Sequence, residues 1–372
     1  MRSLAGIARA GIAMCAFVGW SLQAQPVPLS FDEAGSIRLS TGSPKAGEAP
    51  SGIASVAWLT AMRDGSAFAM DGHSGAVVRI DRAGRLQSRF TVDGLVGNSA
   101  FNALVGATTL ADSILVVWNA NDARVILLRF DGQEIRRLRV PQRGYSVGAE
   151  NAVSRVDDRT FAVRALWGAP PGREFWYRYR IDGTLVDSVE SGRPRRQWWT
   201  PDGLRVPYLA SRLTIPCATS GWLTIDAQTG AVADSASRVV LSSPTFVERI
   251  PVAAAERAKW IPLLDGESGS RPATLPTQKP VARSGFCDGN GRLWLDLYGR
   301  ASIVAREISP LARQWADVPR ENGRFLGRRL GGEVVGELAL PSGLSLLDIG
   351  GDIIWAVRSE PNALVALRLR SR

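Results

Sequence analysis

The 372-residue chain is 45% hydrophobic, enough to build a large core and too much for wholesale disorder. Its 45 basic residues exceed the 35 acidic ones by ten, and all basic residues except Lys45, Lys259 and Lys279 are arginines. These cations are dispersed, with no block of five or more like charges, which argues against a nucleic-acid-binding tail. We therefore expect no nucleic-acid partner, and we attribute the excess mainly to coding composition and solvated strand edges.

The N-terminus predicts a secretory signal peptide over residues 1–24. Arg2 and Arg9 supply positive charge, Ala10–Trp20 supplies a short apolar segment, and Ser21–Ala24 forms a small-residue cleavage site. The apolar segment is shorter than the ~20 residues that a membrane span requires. We expect export to the periplasm or the extracellular space, with no membrane span.

The remaining chain repeats one unit of about four short strands. The copies, in chain order, are Ile53–Val92, a second from Leu104 to Val140, a third from Ala152, a fourth over Leu209–Ala236, a fifth containing NGRLWLDL and a sixth containing SLLDIGGDIIWAVRS. The second copy is the clearest, because Asp131–Gly132 separates two alternating apolar segments and is a strong hairpin signal. A repeat of 40–50 residues with four strands is the signature of β-propeller blades.

Two recurring positions support this interpretation. Glycines of the turn between the third and fourth strands are predicted at Gly84, Gly132, Gly183, Gly230 and Gly323, and apolar residues of the second strand at Phe68, Leu115, Phe161, Trp222, Trp294 and Ile354. A β-sandwich is not expected to repeat its turn chemistry at this interval. We predict an all-β, six-bladed propeller with four-stranded blades, in which the N-terminal segment Gly35–Ser40 completes the last blade and removes its exposed edge.

We predict that residues 25–372 form this single propeller domain, with an insertion at about 244–280. The insertion contains the one convincing helical segment, Ala253–Trp260, which follows Pro251 near its first turn. The rest of the insertion is rich in Pro, Ser and Gly and is typical of a surface loop.

The motifs NGRLWLDL, VVRIDRAGRL, LLRFDGQEI and YRIDGTLV, together with SPTFVERIPVAAAERAKW, carry a family resemblance. The chain resembles exported bacterial six-bladed β-propeller proteins with NHL-like repeats, and the resemblance covers nearly the whole mature chain. Such proteins often have a Gly-rich acidic turn between blades one and two. Here Gly97–Asn102 lacks the acidic residue, so a ligand bound through that turn is not implied.

No catalytic set is evident in the sequence. His73 is the single histidine and lies in a D-G-H-S-G loop, without the G-x-S-x-G turn of a serine hydrolase. Asp71, Asn121, Asp122 and Glu150 could donate oxygen ligands to calcium, but loop Asp and Asn more often stabilise turns. We predict no catalytic residues, no metal site and no cofactor.

If the four strands of each blade are called a to d, the b–c connection joins the second and third strands and the d–a connection joins successive blades. In a propeller these two kinds of connection lie on one face. This face is predicted to carry Asn119, Asp122, Arg173, Glu360 and Asn362 together with the ligand-binding candidates Asp71, His73, Asn121, Tyr298, Arg300, Arg195, Arg196, Trp198 and Trp199. Arginines beside paired tryptophans suit an anionic or sugar ligand through bidentate hydrogen bonds and stacking. The alternative is that the tryptophans only pack a loop over the channel.

Cleavage after residue 24 would leave two cysteines, Cys217 and Cys287, which form either a disulfide in an oxidising compartment or two separate buried thiols. Taken together, the sequence favours a monomeric, non-enzymatic protein that binds an unknown protein, peptide or glycan. The alternative is a metal-dependent, calcium-type hydrolase or lactonase on a propeller.

Overall fold

A computed structural model describes most of the chain from residue 27 to residue 370. The described ranges are 27–39, 52–72, 74–92, 104–119, 123–141, 153–167, 173–191, 212–217, 221–236, 238–241, 247–255, 257–258, 275–299, 323–329 and 334–370. The predicted signal peptide, residues 1–24, lies outside them.

These residues contain 24 β-strands. In chain order they are β1 Phe31–Arg38, β2 Val56–Ala61, β3 Ala67–Asp71, β4 Val77–Ile80, β5 Leu86–Phe90, β6 Leu104–Leu110, β7 Ile114–Asn119, β8 Arg124–Arg129, β9 Glu134–Arg139, β10 Val153–Arg155, β11 Thr160–Trp167, β12 Arg173–Arg180, β13 Leu185–Glu190, β14 Arg212–Cys217, β15 Gly221–Asp226, β16 Val232–Asp234, β17 Val239–Leu241, β18 Ala282–Cys287, β19 Arg292–Leu297, β20 Arg324–Arg329, β21 Val334–Ala339, β22 Leu344–Gly350, β23 Ile353–Arg358 and β24 Ala363–Leu369.

The strands form six four-stranded antiparallel sheets, which confirms the predicted six-bladed propeller. Blades 1 to 5 are β2–β5, β6–β9, β10–β13, β14–β17 and β18–β21, and blade 6 has the order β22-β23-β24-β1. We name the strands of each blade a to d from the axis outward. The a strands contact one another around the ring, from β22 through β2, β6, β10 and β14 to β18.

The N-terminal strand closes the ring, as predicted. Strand β1 pairs with β24 from Phe31 opposite Leu369 to Arg38 opposite Ala363, so the strand begins four residues before the predicted segment. Residues ahead of β1 continue onto blade 5, where the Leu29 N–H donates to the Glu337 carbonyl at 2.8 Å. The N-terminal segment therefore forms backbone hydrogen bonds with two blades, 5 and 6.

Among the described residues, the core is divided into six apolar clusters, one at each contact between neighbouring blades. Blades 1 and 2 share a cluster that includes Phe68 and Leu115, and blades 2 and 3 share one that includes Trp118 and Phe161. Trp294 of blade 5 packs with Ile354 and Leu346 of blade 6. Each second-strand position predicted from the repeat lies in a b strand. Successive side chains of a strand point to opposite faces, so each blade contributes apolar side chains to the clusters on both of its sides.

The pairing of the two outer strands is irregular in every blade. A register shift occurs between strands c and d of all six sheets, for example between Leu127 and Leu128 of blade 2. Bulges of this kind increase the local twist and make an outer edge a poor template for pairing with another chain.

Two of the predicted c–d turn glycines are misassigned. Gly84, Gly132 and Gly183 do lie in c–d turns, with positive φ angles of 76°, 92° and 91°. Gly230 lies between β15 and β16, and Gly323 immediately precedes β20, so both belong to b–c connections. The reason is physical: a glycine preceded by polar turn residues suits any tight hairpin turn and does not indicate which strands the turn joins.

The insertion between blades 4 and 5 is partly described. Residues 254–255 and 257–258 are helical, and the Arg257 N–H donates to the Ala253 carbonyl at 3.0 Å, in agreement with the start of the predicted helix. Its predicted end at Trp260 lies outside the described residues.

A disulfide joins the innermost strands of blades 4 and 5. Cys217 ends β14 and Cys287 ends β18, and their Cα atoms are 5.4 Å apart. Of the two alternatives left open by the sequence, the structure has the bridge. It links residues 70 positions apart, which restricts the unfolded chain.

Gly35 offers a test of ring closure, because a Cβ at this position would lie 1.9 Å from the Ala83 carbonyl oxygen of blade 1. We expect Gly35→Ala to lower the free energy of unfolding by about 1–3 kcal/mol, the usual cost of overpacking. Gly52→Ala is the matched control, since a Cβ there meets nothing within 4 Å. Urea unfolding followed by tryptophan fluorescence measures both; equal stability of the two variants would contradict the closure argument.

Candidate functional site

The face formed by the b–c and d–a connections, here called the b–c face, was predicted to bind the ligand. Two of the candidates are described there. Asp71 ends strand b of blade 1, and Tyr298 directly follows strand b of blade 5. The other candidates lie outside the described residues: His73, Asn121, Arg195, Arg196, Trp198, Trp199 and Arg300.

Asp71 has internal partners for both carboxylate oxygens. Oδ1 accepts hydrogen bonds from the backbone N–H groups of Ala54 and Ser55, at 3.1 and 3.2 Å, and Oδ2 accepts one from Ser74 Oγ at 2.6 Å. The Arg89 guanidinium lies 3.5 Å from Oδ2, and only 1% of Asp71 is exposed. These contacts tie the connection that enters blade 1 to the b–c turn, which is a structural role.

Tyr298 lies at the b–c end of blade 5, where hydrogen bonds connect the end of strand b to the segment that leads into strand a. Its backbone N–H donates to the Val281 carbonyl at 3.3 Å. Beside it Lys279 is only 3% exposed, and its Nζ donates to the Gly299 carbonyl at 3.0 Å. Tyr298 is half-buried, so part of its surface remains on the face where it was predicted.

A cleft of about 690 Å³ opens along blade 6, on the side that faces blade 5. It is lined by the start of the closing strand, the connection into blade 6 and the b–c turn of that blade: Phe31, Asp32, Glu33, Pro341, Ser342, Gly343, Leu344, Arg358, Ser359, Glu360 and Leu367. Its volume falls in the range of small-molecule sites. Of these residues, the sequence places only Glu360 on the predicted binding face.

Arginines hold two of the cleft's three carboxylates, Asp32 and Glu33, in their charged form. Glu33 pairs with Arg358, which holds the pKa of the Glu33 carboxyl below its ordinary value despite some burial. Asp32 pairs with Arg370, whose hydrogen bond lowers the pKa of Asp32 in the same way. Glu360 is exposed and has no hydrogen bond or ion pair within the described part of the chain.

In blade 5, Asp296 has one buried carboxylate oxygen without a hydrogen-bond partner. Asp296 is 5% exposed; its Oδ2 accepts from Arg283 Nε at 2.9 Å and from Ser284 Oγ at 3.2 Å, whereas Oδ1 is buried without a hydrogen-bond partner. Successive side chains of a strand alternate, so Asp296 points to the same side as Trp294, which packs against blade 6.

The opposite face, formed by the a–b and c–d turns, uses its carboxylates for turn structure. In each of several turns an Asp Oδ1 accepts the backbone N–H two residues ahead; these residues are Asp64, Asp81, Asp131, Asp157, Asp182, Asp234 and Asp288. This is the turn geometry that Asp favours. Asp226 does the same in the b–c turn of blade 4.

At this opposite face, side chains cross the propeller axis. Arg63 of blade 1 donates from Nε to the Gly289 carbonyl of blade 5 at 3.1 Å and lies 3.2 Å from the Asp158 carboxylate of blade 3. Blades 1, 3 and 5 alternate around the ring, so contacts among them must be made across the channel. Burial and the charge of Arg63 lower the pKa of Arg155, which also pairs with Asp158.

Asp348 joins the innermost strands of blades 6 and 1. Its Oδ2 accepts the Ala61 N–H at 2.8 Å, and its Oδ1 accepts the Ile349 N–H at 2.8 Å. Although Asp348 keeps some exposed surface, protein atoms surround its carboxyl, and this desolvation, aided by the charge of Asp288, raises its pKa to about 7.

Within the described residues, no group of three or more His, Cys, Asp and Glu side chains is arranged to hold a metal ion. Among the same residues, no helix is long and apolar enough to cross a membrane.

Comparison with solved structures identifies the fold class. A DUF4221-family member from Bacteroides vulgatus aligns over 92% of this chain and 98% of its own, with a TM-score of 0.50 and 10% identity. BamB from Moraxella catarrhalis (TM-score 0.39, 11% identity, 92% and 96% coverage) aligns less closely. A catalytically inactive virginiamycin B lyase from Staphylococcus aureus with quinupristin also aligns less closely (TM-score 0.40, 12% identity, 93% and 95% coverage). At such identities the likeness concerns the fold alone. No family model and no curated protein matches the chain.

The raised pKa of Asp348 predicts a specific pH dependence. The folded chain holds this proton up to about pH 7, whereas the unfolded chain releases it near 3.8, so raising the pH between these values favours unfolding. We expect wild-type stability to fall across this window by at most about 4 kcal/mol relative to Asp348→Asn. Urea unfolding at several pH values measures the difference; parallel curves for the two proteins would contradict the assignment.

Proposed function

We propose that this protein is a non-enzymatic, exported binding protein and that the cleft of blade 6 is its ligand site. The observation that carries the proposal is the cleft itself: about 690 Å³, with an apolar base and charged groups at its rim. Sites for small ligands combine these two features, because apolar contacts supply affinity and a few polar groups fix orientation.

The charged groups of the cleft suit recognition better than proton transfer. A general acid or base works best when its pKa lies near the operating pH. Asp32 and Glu33 are shifted the other way, because their arginine partners stabilise the ionised carboxylates. The same ion pairs hold the side chains in place before a ligand arrives, which reduces the entropy cost of binding.

The strands that flank the predicted recognition loop meet it at the b–c face. Residues 192–211 connect β13 to β14, and this d–a connection starts and ends on the b–c face. Arg195, Arg196, Trp198 and Trp199 occur within it. We include this loop in the proposed binding face as a second recognition element.

Export is part of the proposal on two grounds. The first is the predicted signal peptide at residues 1–24. The second is the Cys217–Cys287 disulfide, since such bonds persist mainly in oxidising compartments. Periplasmic or extracellular partners, such as proteins, peptides or glycans, are the ones such a protein would meet.

A blocking substitution tests the cleft. Ser342 is exposed at its rim, and Ser342→Trp should fill the opening while leaving the core intact. We expect compounds and peptides that raise the melting temperature of the wild type to lose this effect in Ser342→Trp. Ser88→Trp, on the exposed outer strand of blade 1, is the control and should respond like the wild type. Ligands that stabilise both variants equally would place the binding site elsewhere.

The loop is tested by replacing Trp198 and Trp199 together with alanine. If they contact ligand from the surface, the free energy of unfolding should change by less than about 0.5 kcal/mol per residue, while glycan or anion binding on an array decreases. Loss of tryptophans packed in a core would cost about 3–5 kcal/mol each. A large fall in the melting temperature would therefore remove this loop from the proposed binding face.

A further inference from the structure

We infer that the outer edge of blade 5 is an acceptor for an extended peptide with a leucine anchor, and that the chain's own N-terminal arm occupies this edge. The arm consists of residues 27–29, just ahead of β1. The inference goes beyond the proposed function, because neither the arm nor the blade 5 residues that hold it line the cleft. It follows from the backbone pairing of the arm and from a hollow that receives the Leu29 side chain.

The arm pairs with blade 5 through its backbone. The Leu29 N–H donates to the Glu337 carbonyl at 2.8 Å, and the Glu337 N–H donates to the Val27 carbonyl at 3.0 Å. Pro28 lies opposite Glu337 in this parallel bridge, which makes no use of the backbone nitrogen of Pro28, so a proline is compatible with the position. The outer strand of blade 5 therefore binds an extended segment by main-chain hydrogen bonds, as in strand addition to a sheet edge.

Two glycines of blade 5 form a hollow beside this pairing, here called the glycine hollow. Gly327 of β20 lies directly opposite Gly336 of β21. A Cβ at Gly327 would lie 2.7 Å from the Trp294 ring, and a Cβ at Gly336 would lie 2.6 Å from the Val27 carbonyl oxygen and 2.7 Å from Leu29 Cγ. The Trp294 ring and the Leu29 side chain therefore fill the space that two ordinary side chains would take.

Leu29 is the anchoring side chain of the arm. It is half-buried and packs against the apolar cluster between blades 5 and 6, whereas Val27 is 40% exposed. Gly336 has a φ angle of 148°, which favours glycine and so keeps the hollow open. Backbone pairing beside a shaped side-chain site is the combination by which a sheet edge recognises a particular extended peptide.

The arm is attached less firmly than the strand that follows it. Strand β1 pairs with β24 at seven positions, whereas the arm joins blade 5 by one isolated bridge within the described part of the chain. The arm can therefore separate from blade 5 while β1 keeps the ring closed. A partner chain that presents an apolar residue, a proline and a leucine in extended form then meets the same edge and the same glycine hollow.

The test releases the arm in the mature protein with Leu29→Asp, which places a carboxylate in the glycine hollow. The probe is a fluorescein-labelled hexapeptide, Gln-Pro-Val-Pro-Leu-Ser, which copies residues 25–30 and is followed by fluorescence anisotropy. We expect it to bind Leu29→Asp at least tenfold more tightly than the wild type, where the tethered arm competes at high effective concentration. Leu29→Ala should give the same gain without added charge, which keeps the test valid if Leu29→Asp folds poorly.

Two controls accompany this test. Val27→Asp adds the same charge at an exposed arm residue and should bind the probe as weakly as the wild type does. A second hexapeptide with aspartate in place of leucine should bind the Leu29 variants at least tenfold less tightly than the first, because it cannot fill the glycine hollow.

Three results would overturn the inference. Equal binding of the first hexapeptide to the wild type, Val27→Asp and the Leu29 variants would place its site away from the arm. Equal binding of the two hexapeptides to the Leu29 variants would exclude the glycine hollow as the anchor site. Absence of binding to every variant would show that the edge of blade 5 accepts only the tethered arm. None of these results bears on the cleft, which Ser342→Trp tests separately.

Discussion

Pairing of the first strand with the last is the constraint on which the molecule depends. Without β1, blade 6 lacks its outer strand and the ring keeps an exposed edge, which invites pairing with other chains. The pairing joins residues as far apart as Asp32 and Arg370, 338 positions along the chain. Loop entropy grows only slowly with length, so a long ladder and two ion pairs can offset it. Because Phe31, Asp32 and Glu33 belong to this strand, the cleft exists only when the ring is closed.

The architecture was predictable because each blade repeats the same local physics. Apolar second-strand residues such as Trp294 recur at blade intervals, since every b strand must be buried on both sides. The turn glycines were less informative: Gly84 and Gly230 have similar positive φ angles, but their turns join different strand pairs. Turn chemistry reports local backbone conformation, whereas its place in the blade depends on pairing with residues far away.

The cleft could not be predicted in the same way. Its lining comes from the closing strand, from the entry to blade 6 and from the b–c turn of that blade, and Glu33 and Arg358 are 325 residues apart. No motif or spacing connects such positions before the ring topology is known. Asp71 shows the converse problem. An acidic loop residue suggests a ligand contact in the sequence, yet the structure surrounds its carboxylate with backbone N–H groups, Ser74 and Arg89.

Many of the chain's carboxylates stabilise its turns and bind arginines there. In the turns that begin at Asp81, Asp234 and Asp288, the Asp binds two backbone N–H groups and the Nε of an arginine four residues ahead. These carboxylates are saturated by the fold, and each ion pair cancels one positive and one negative charge, so the net charge of +10 remains as an excess of arginines over carboxylates. Glu360 departs from this rule, because it shares a turn with ordered neighbours but receives no donor from them. Its side chain is exposed, so water hydrates the carboxylate and leaves it accessible at the rim of the cleft.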